Sequence, residues 1–496
     1  MSKLKKLAGQ TAVYGLPSIL GRFLNYLLVP LYTGAFITSE YGVINEIYAY
    51  VAFIAVVLPW GMETAFFRFS SKKDYSSNDV FKTSLFFVFL SSILFILGIT
   101  FFTDTAAIGL GYPNNPEYIL WMGLTLGFDA LTVIPLAQLR NQEKALKFAI
   151  VNFTGIGTNI GLNLFFIGYC MPAYEGGGNV ITNLVFNPEI GVGYVFIANM
   201  IQSLIKLILL SPVYKNLTFK VNISLLKEMM LYASPLIIAG FAGIINETLD
   251  RALIRRILEP TLGLKGALSQ VGIYGAVYKL AILITLFTQA FRYAAEPFFF
   301  AQDKEGNSRQ VYADVLKWYT IIVSAMFLFV MLFIDVFKQF INNESYWEGL
   351  SIVPILLLAN IFLGWIYNLS VWYKLTHKTM YGAGLAIIGA IITISMNLYL
   401  IPKIGYTGAA WTTFTSYGVM AILSYLLSRK YYPIPYNLTK IIGYTAFSVT
   451  VWYMSTKMSW ESTIGQYLAN SLLFILFLLI LLFFEKDEIK KLRGNS

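Results

Sequence analysis

The stretch Tyr14-Gly-Leu-Pro17-Ser-Ile-Leu20 returns 218 residues later as Tyr232-Ala-Ser-Pro235-Leu-Ile-Ile238. Further pairs follow in the same order. Tyr41-Gly42-Val43 with Tyr48 matches Val271-Gly272-Ile273 with Tyr278, and Glu63-Thr-Ala-Phe-Phe67 matches Glu296-Pro-Phe-Phe-Phe300. Arg140 and Lys144 match Lys374 and Lys378, and Asn163-Leu-Phe-Phe-Ile167 matches Asn397-Leu-Tyr-Leu-Ile401. The later offsets are 230–234, so the second copy has a longer loop near its start. Any one pair is weak, but ordered self-similarity marks an internal repeat.

The medium of this repeat follows from composition. Of 496 residues, 57% are hydrophobic and 12% charged, and the mean hydropathy is +0.65. A soluble chain needs roughly a quarter of its residues charged to cover its surface. Lipid must therefore be the main solvent, which excludes a cytosolic enzyme, a secreted disulfide scaffold and a disordered chain. With one cysteine, Cys170, and one histidine, His377, neither an intrachain disulfide nor a multi-histidine metal site can form. Cys170 reads as a small buried hydrophobe and His377 as a solvated loop residue.

Apolar stretches long enough to cross a bilayer occur at about 8–33, 42–67, 82–103, 117–139, 148–171, 191–213, 229–250, 271–291, 318–337, 350–372, 383–401, 408–428, 441–457 and 466–484. Their length and lack of alternation predict helices, so the expected fold is all-α with about fourteen transmembrane helices. The first span follows Lys3, Lys5 and Lys6 like a signal peptide, but it is too long for one and contains Arg22, which reads as a retained helix. With the N-terminus in the cytoplasm, 26 of the 36 Lys and Arg fall inside, seven outside and three within spans. This bias places both termini inside. It also makes the net charge of +10 a topology signal, with no soluble basic face for nucleic acid. The exception is the outer loop 251–270, which carries four cations.

Repeat and spans together predict a six-helix bundle over 1–214, a second over 215–440, and two further helices with a tail over 441–496. Each half starts on the same side, so the halves are parallel repeats. Such repeats rock about a substrate site at their interface.

Fourteen spans arranged six plus six plus two resemble the multidrug/oligosaccharidyl-lipid/polysaccharide exporter superfamily. The segment Asn397-Leu-Tyr-Leu-Ile-Pro402-Lys-Ile-Gly405-Tyr-Thr-Gly408-Ala409-Ala410, and the Tyr-x-x-Pro opening followed by Tyr41-Gly42, look like its polysaccharide-exporter branch. The resemblance implies a flippase of the bacterial inner membrane, moving undecaprenyl-diphosphate-linked oligosaccharide units by alternating access. It implies a lipid-linked oligosaccharide and membrane lipids as partners, with a polysaccharide polymerase and glycosyltransferases working alongside. Pro402, Gly405 and Gly408 read as a helix stop, a tight turn and a close packing point.

Ionisable residues within spans are expensive and mark candidate sites. Thr11, Tyr14, Ser18, Arg22 and Asn25 share one helical face. Either they form an interhelical hydrogen-bond stripe, or they wall an aqueous cavity in which Arg22 grips a diphosphate bidentately. Asp129 is expected to pair with Arg22 or to couple transport to H+ or Na+. Lys279 either assists the diphosphate or pairs with Glu46, another candidate for ion coupling. Lys206 reads as snorkelling to the interface. Asn152, Asn159 and Asn163 suit sugar hydroxyls or helix–helix hydrogen bonds. Glu247 and Asp250 are coupling candidates beside Arg251, with Glu247 and Arg251 spaced for a local ion pair. No cofactor is implied, and no phosphate-binding Gly-x-x-x-x-Gly-Lys-Ser/Thr motif occurs.

The rival readings are a cation-coupled multidrug exporter, a lipid II flippase, and a membrane glycosyltransferase or polymerase. A cationic drug favours an acidic cavity, whereas Arg22, Lys206, Lys279 and Asp129 are net basic. A membrane polymerase needs sizeable outer loops, and the longest here, 172–190 and 251–270, are about twenty residues each.

Overall fold

A computed structural model describes residues 20, 21, 23–72, 74–217, 221–302, 308–458 and 462–488. Helices and turns make up these residues, and no strand occurs among them. Every expected span from the second onward is helical, and the described part of the first ends in the helix Val29–Ala35. Ten helices among the described residues are long and apolar enough to cross a membrane. Tyr406–Tyr431 and Leu438–Ser455 are helical but fall outside that set.

Local chemistry sets the ends. Ser76 accepts a hydrogen bond from the Asp79 amide to start Ser77–Phe101, and Ser462 does the same for Thr463–Phe484 through Gly465. Pro402 does not stop its helix: Met380–Ile404 runs two residues beyond it, and Gly405, at φ +58°, makes the turn.

The expected seventh and eighth spans form one continuous run, Ile223–Gln302, broken at Gly263 with φ +69°. Its apolar part, Ile223–Tyr293, has 71 residues. As one straight helix it would be about 105 Å long, over three times the hydrocarbon core. The Tyr274 hydroxyl donates to Asp250, 24 residues earlier, so the chain folds back at the Gly263 break. The loop expected over 251–270 is therefore mostly helix.

The chain divides into two compact units, one of 1–275 with 393–406, the other of 276–392 with 407–496. In the first, the Thr38–Val57 helix crosses the second arm of the hairpin at glycine. A Cβ on Gly42 would overlap the Leu268 carbonyl, and one on Gly272 would overlap that of Thr38. Gly42 and Gly272 are repeat equivalents at an offset of 230, and so are Thr38 and Leu268. The crossing is thus self-complementary, and the Thr38 and Ser269 hydroxyls hydrogen-bond across it at 2.7 Å. An apolar cluster of this unit, built around Met62, Phe66, Phe81 and Met229, packs Met62–Ser70 and Ser77–Phe101 against the start of the hairpin. In the second unit, a cluster around Leu328, Phe477 and Leu481 joins Ser308–Leu332 to the last two helices.

Candidate functional site

Buried polar residues of the first unit fall into four groups. The first lies on the fifth span, whose helix Ala145–Asn163 continues as a π-helical turn, Leu164–Cys170. Asn163 is fully buried; it accepts from the Tyr32 hydroxyl at 2.9 Å and donates to the Asn159 carbonyl at 2.8 Å. Asn152 donates to the Phe148 carbonyl at 2.8 Å. Asn163 thus makes a helix–helix and an intrahelical bond, whereas the buried Asn159 Nδ2 has no hydrogen-bond partner among the described residues. Asn25 is exposed, and Arg22 lies outside the described residues.

The second group is an ion pair. Lys206 Nζ meets Asp129 Oδ1 at 2.6 Å. The lysine stem lies where a side chain on Gly155 would stand, so this glycine gives it a path across the helix. Lys206 therefore turns toward Asp129 and is the partner observed for that carboxylate.

The third group is the densest. Glu46 is completely buried and receives the Tyr50 hydroxyl at 2.5 Å, the Tyr112 hydroxyl, and Arg255 Nη1 at 3.2 Å. Arg255, 1% exposed, also donates to the carbonyls of Leu110 at 2.6 Å and Gly111 at 3.1 Å. Arg256 donates to the Gly109 carbonyl at 2.8 Å. These carbonyls close the Thr103–Leu110 helix, whose C-terminal dipole favours cations. Gly111, at φ +85°, leaves the space that the Arg255 guanidinium occupies. Burial pushes the Tyr112 phenol well above its ordinary value, and the Glu46 carboxylate adds to the shift. Arg255 and Arg256 of the 251–270 segment thus have structural partners within the protein.

The fourth group lies one turn further back on the hairpin's first arm. Asp250, nearly buried, accepts from the Arg251 amide and side chain and from Tyr274. Arg251 also donates to the Glu247 backbone carbonyl at 2.7 Å, so its carboxylate partner is Asp250, and the exposed Glu247 side chain is not part of that pair. Asn246 accepts from the Thr393 hydroxyl at 2.9 Å. One turn on from Thr393, the fully buried Asn397 amide has no hydrogen-bond partner among the described residues.

The second unit carries an apolar groove of about 910 Å³ between Val353–Leu369, Tyr406–Tyr431 and Leu438–Ser455. Phe362, Trp365, Phe414, Ile422, Ile441 and Val449 are among its walls. Beside it, Glu485 binds Lys440 at 2.8 Å, Lys317 at 3.2 Å and the Tyr444 hydroxyl. Burial pushes the Glu485 carboxyl up, but these three partners outweigh burial and hold it below its usual range. Lys279 is half-buried in this unit.

Sequence reasoning marked Glu46 and the unusual outer cations separately but did not join them. Tyr112 and Gly111 were not foreseen. The usable signal was a buried glutamate in need of a cation, together with cations on the side where few are expected.

Helical spans, the repeat-related glycine crossing and the paired ionisable residues within the apolar helices define an all-helical polytopic membrane fold. Among solved structures, the lipid II flippase MurJ in an inward closed conformation matches with a TM-score of 0.71 at 14% identity, over 96% of this chain and 99% of that one. An inward-facing multidrug resistance MATE family transporter of the MOP superfamily matches at 0.59 and 13%, over 88% and 96%. A Vibrio cholerae MATE transporter matches at 0.58 and 11%, over 87% and 98%. No family model and no curated sequence matches the chain. The likeness is one of fold: this chain has the transporter fold that MurJ and the MATE proteins share.

Proposed function

We propose that this protein is a flippase for undecaprenyl-diphosphate-linked oligosaccharide units, working by alternating access in a bacterial inner membrane with both termini inside. The observation that carries the reading is the apolar groove of about 910 Å³ in the second unit. A polyprenyl carrier needs such a surface while its head crosses the membrane, since each CH2 kept from water contributes about 0.8 kcal/mol. The cargo diphosphate needs cations. Asp129, the acid among the midmembrane candidates, is neutralised by Lys206; the diphosphate is assigned to the cations Arg22 and Lys279, with Asn25 three residues after Arg22 in the sequence. Asn163, bonded within the bundle, and Asn159 beside it shape the wall in this reading. The repeat supports two six-helix halves followed by two added helices, and the first of these, Leu438–Ser455, supplies one side of the groove.

The group Asn246, Asp250, Thr393 and Asn397 is the proposed place for a coupling H+ or Na+, because the Asn397 amide is buried without a partner among the described residues. Polymerase and glycosyltransferases are proposed as the enzymes that consume and supply the cargo.

The test is complementation of an export-deficient strain with expression-matched variants. Arg22→Ala is expected to abolish export while inserting normally. Arg22→Lys retains part of it, because an ammonium lacks the bidentate fork. Full export by Arg22→Ala overturns the role of Arg22.

A further inference from the structure

The segment between the fifth and sixth spans carries an apolar face that nothing above uses. A six-residue helix, Val180–Val185, follows the glycines 176–178. Val180 and Leu184 are 85% and 82% exposed, more than any other large apolar side chain of the described residues. Ile181 and Val185 are exposed beside them. The spacing i, i+1, i+4, i+5 puts all four on one face. The opposite face holds Thr182, fully buried, which closes a capping box with Asn179.

Four contacts fix the level of this helix. The Asn179 amide donates to the Tyr169 hydroxyl at 3.1 Å. Tyr169 is half-exposed and lies six residues before the end of the preceding span at Glu175, about 9 Å back along its axis. Phe186 stacks on Tyr194 at 5.0 Å and meets Tyr174 at 5.6 Å, and Tyr194 stacks in turn on Phe166. The Asn187 amide donates to the Tyr194 hydroxyl at 2.7 Å. The loop is therefore folded back along the two spans, at the level where their aromatic residues lie. Aromatic belts of this kind mark the membrane–water boundary.

We propose that the 179–186 segment is an interfacial anchor whose Val180, Ile181, Leu184 and Val185 face enters the boundary between headgroups and acyl chains. Its partner is the lipid surface. The apolar face continues the lipid-facing surface of the span that ends at Glu175, where Leu164, Tyr169 and Tyr174 are exposed. Residues 171–192 contain Glu175 and Glu189 but no Lys or Arg, so the attraction is apolar and needs no anionic lipid. The inference is independent of what the protein transports.

Spin labelling of the full-length protein tests it. In a Cys170→Ala background, Leu184→Cys and, separately, Val180→Cys carry a nitroxide, with Glu189→Cys as the exposed control. Each is reconstituted into zwitterionic phosphatidylcholine–phosphatidylethanolamine vesicles. The labels at 180 and 184 are expected to relax more with oxygen than with a water-soluble nickel chelate, giving a positive depth parameter, and the label at 189 the reverse. Labels at 180 and 184 as open to nickel as that at 189 would overturn the proposal. So would labels reached by neither reagent, because the face would then be packed on protein.

Discussion

Arg255→Met removes one member of the buried group around Glu46 and keeps most of the side-chain volume. It leaves Glu46, completely buried, with only the Tyr50 and Tyr112 hydroxyls as hydrogen-bond donors. It also strips the carbonyls of Leu110 and Gly111 of their Arg255 donor. Breaking a buried pair by removing one partner costs about 3–5 kcal/mol. The two phenols still solvate part of the carboxylate charge, so the low end, about 3 kcal/mol, is expected. At roughly 2–4 °C per kcal/mol, the melting temperature should fall by at least about 6 °C. The double variant Glu46→Gln with Arg255→Met removes both charges and should recover about half of the loss, since neutral replacement of a buried pair is often tolerated. The assay is the monodisperse fraction on size-exclusion chromatography after heating in detergent. A single variant as stable as the parent, or a double variant less stable than the single, would refute the network as an electrostatic unit.

Gly42→Val and Gly272→Val should each destabilise the protein by about 1–3 kcal/mol or more, because the new side chain meets backbone at the helix crossing; similar melting shifts for the two are expected from their equivalent contacts. Glu485 has a lowered pKa in the folded protein, so its contribution to stability is present above the ordinary carboxylate range and is lost as pH falls through the folded value. The stability gap between the parent and Glu485→Gln should therefore narrow on acidification, as read by melting curves at a series of pH values. Asp129→Asn should be less stable than the double change Asp129→Asn with Lys206→Met, because the single change leaves a partly buried ammonium without its carboxylate. A double-mutant cycle showing no coupling between these two positions would contradict the pairing.

Much of the fold could be read before the structure. Lipid-length apolar runs have few conformations open to them, since every backbone group must be satisfied within the segment. The repeat located Gly42 and Gly272, although only the structure showed that the two meet at one crossing. Partners were harder to read. Periodicity tells which residues share a helix face, but Glu46 and Arg255 are 209 residues apart, and nothing local joins them. Lys206 was expected to reach the interface, yet the missing side chain at Gly155 lets its stem cross toward Asp129. The helical character of 251–270 was not read from its charges, two of which, Arg255 and Arg256, cap the Thr103–Leu110 helix. The groove of the second unit is built from several helices and has no sequence signature beyond their apolar surfaces.

The most direct test of the proposed function is translocation in vesicles containing only the purified protein and an undecaprenyl-diphosphate-linked oligosaccharide with a fluorescent sugar. Protein-dependent exposure of the label to a membrane-impermeant quencher is expected, and it should be lost with Arg22→Ala and unaffected by an excess of a lipophilic cationic dye. Failure to move the oligosaccharide lipid, together with saturable uptake of the cationic dye, would contradict the account and favour a multidrug exporter of the same fold.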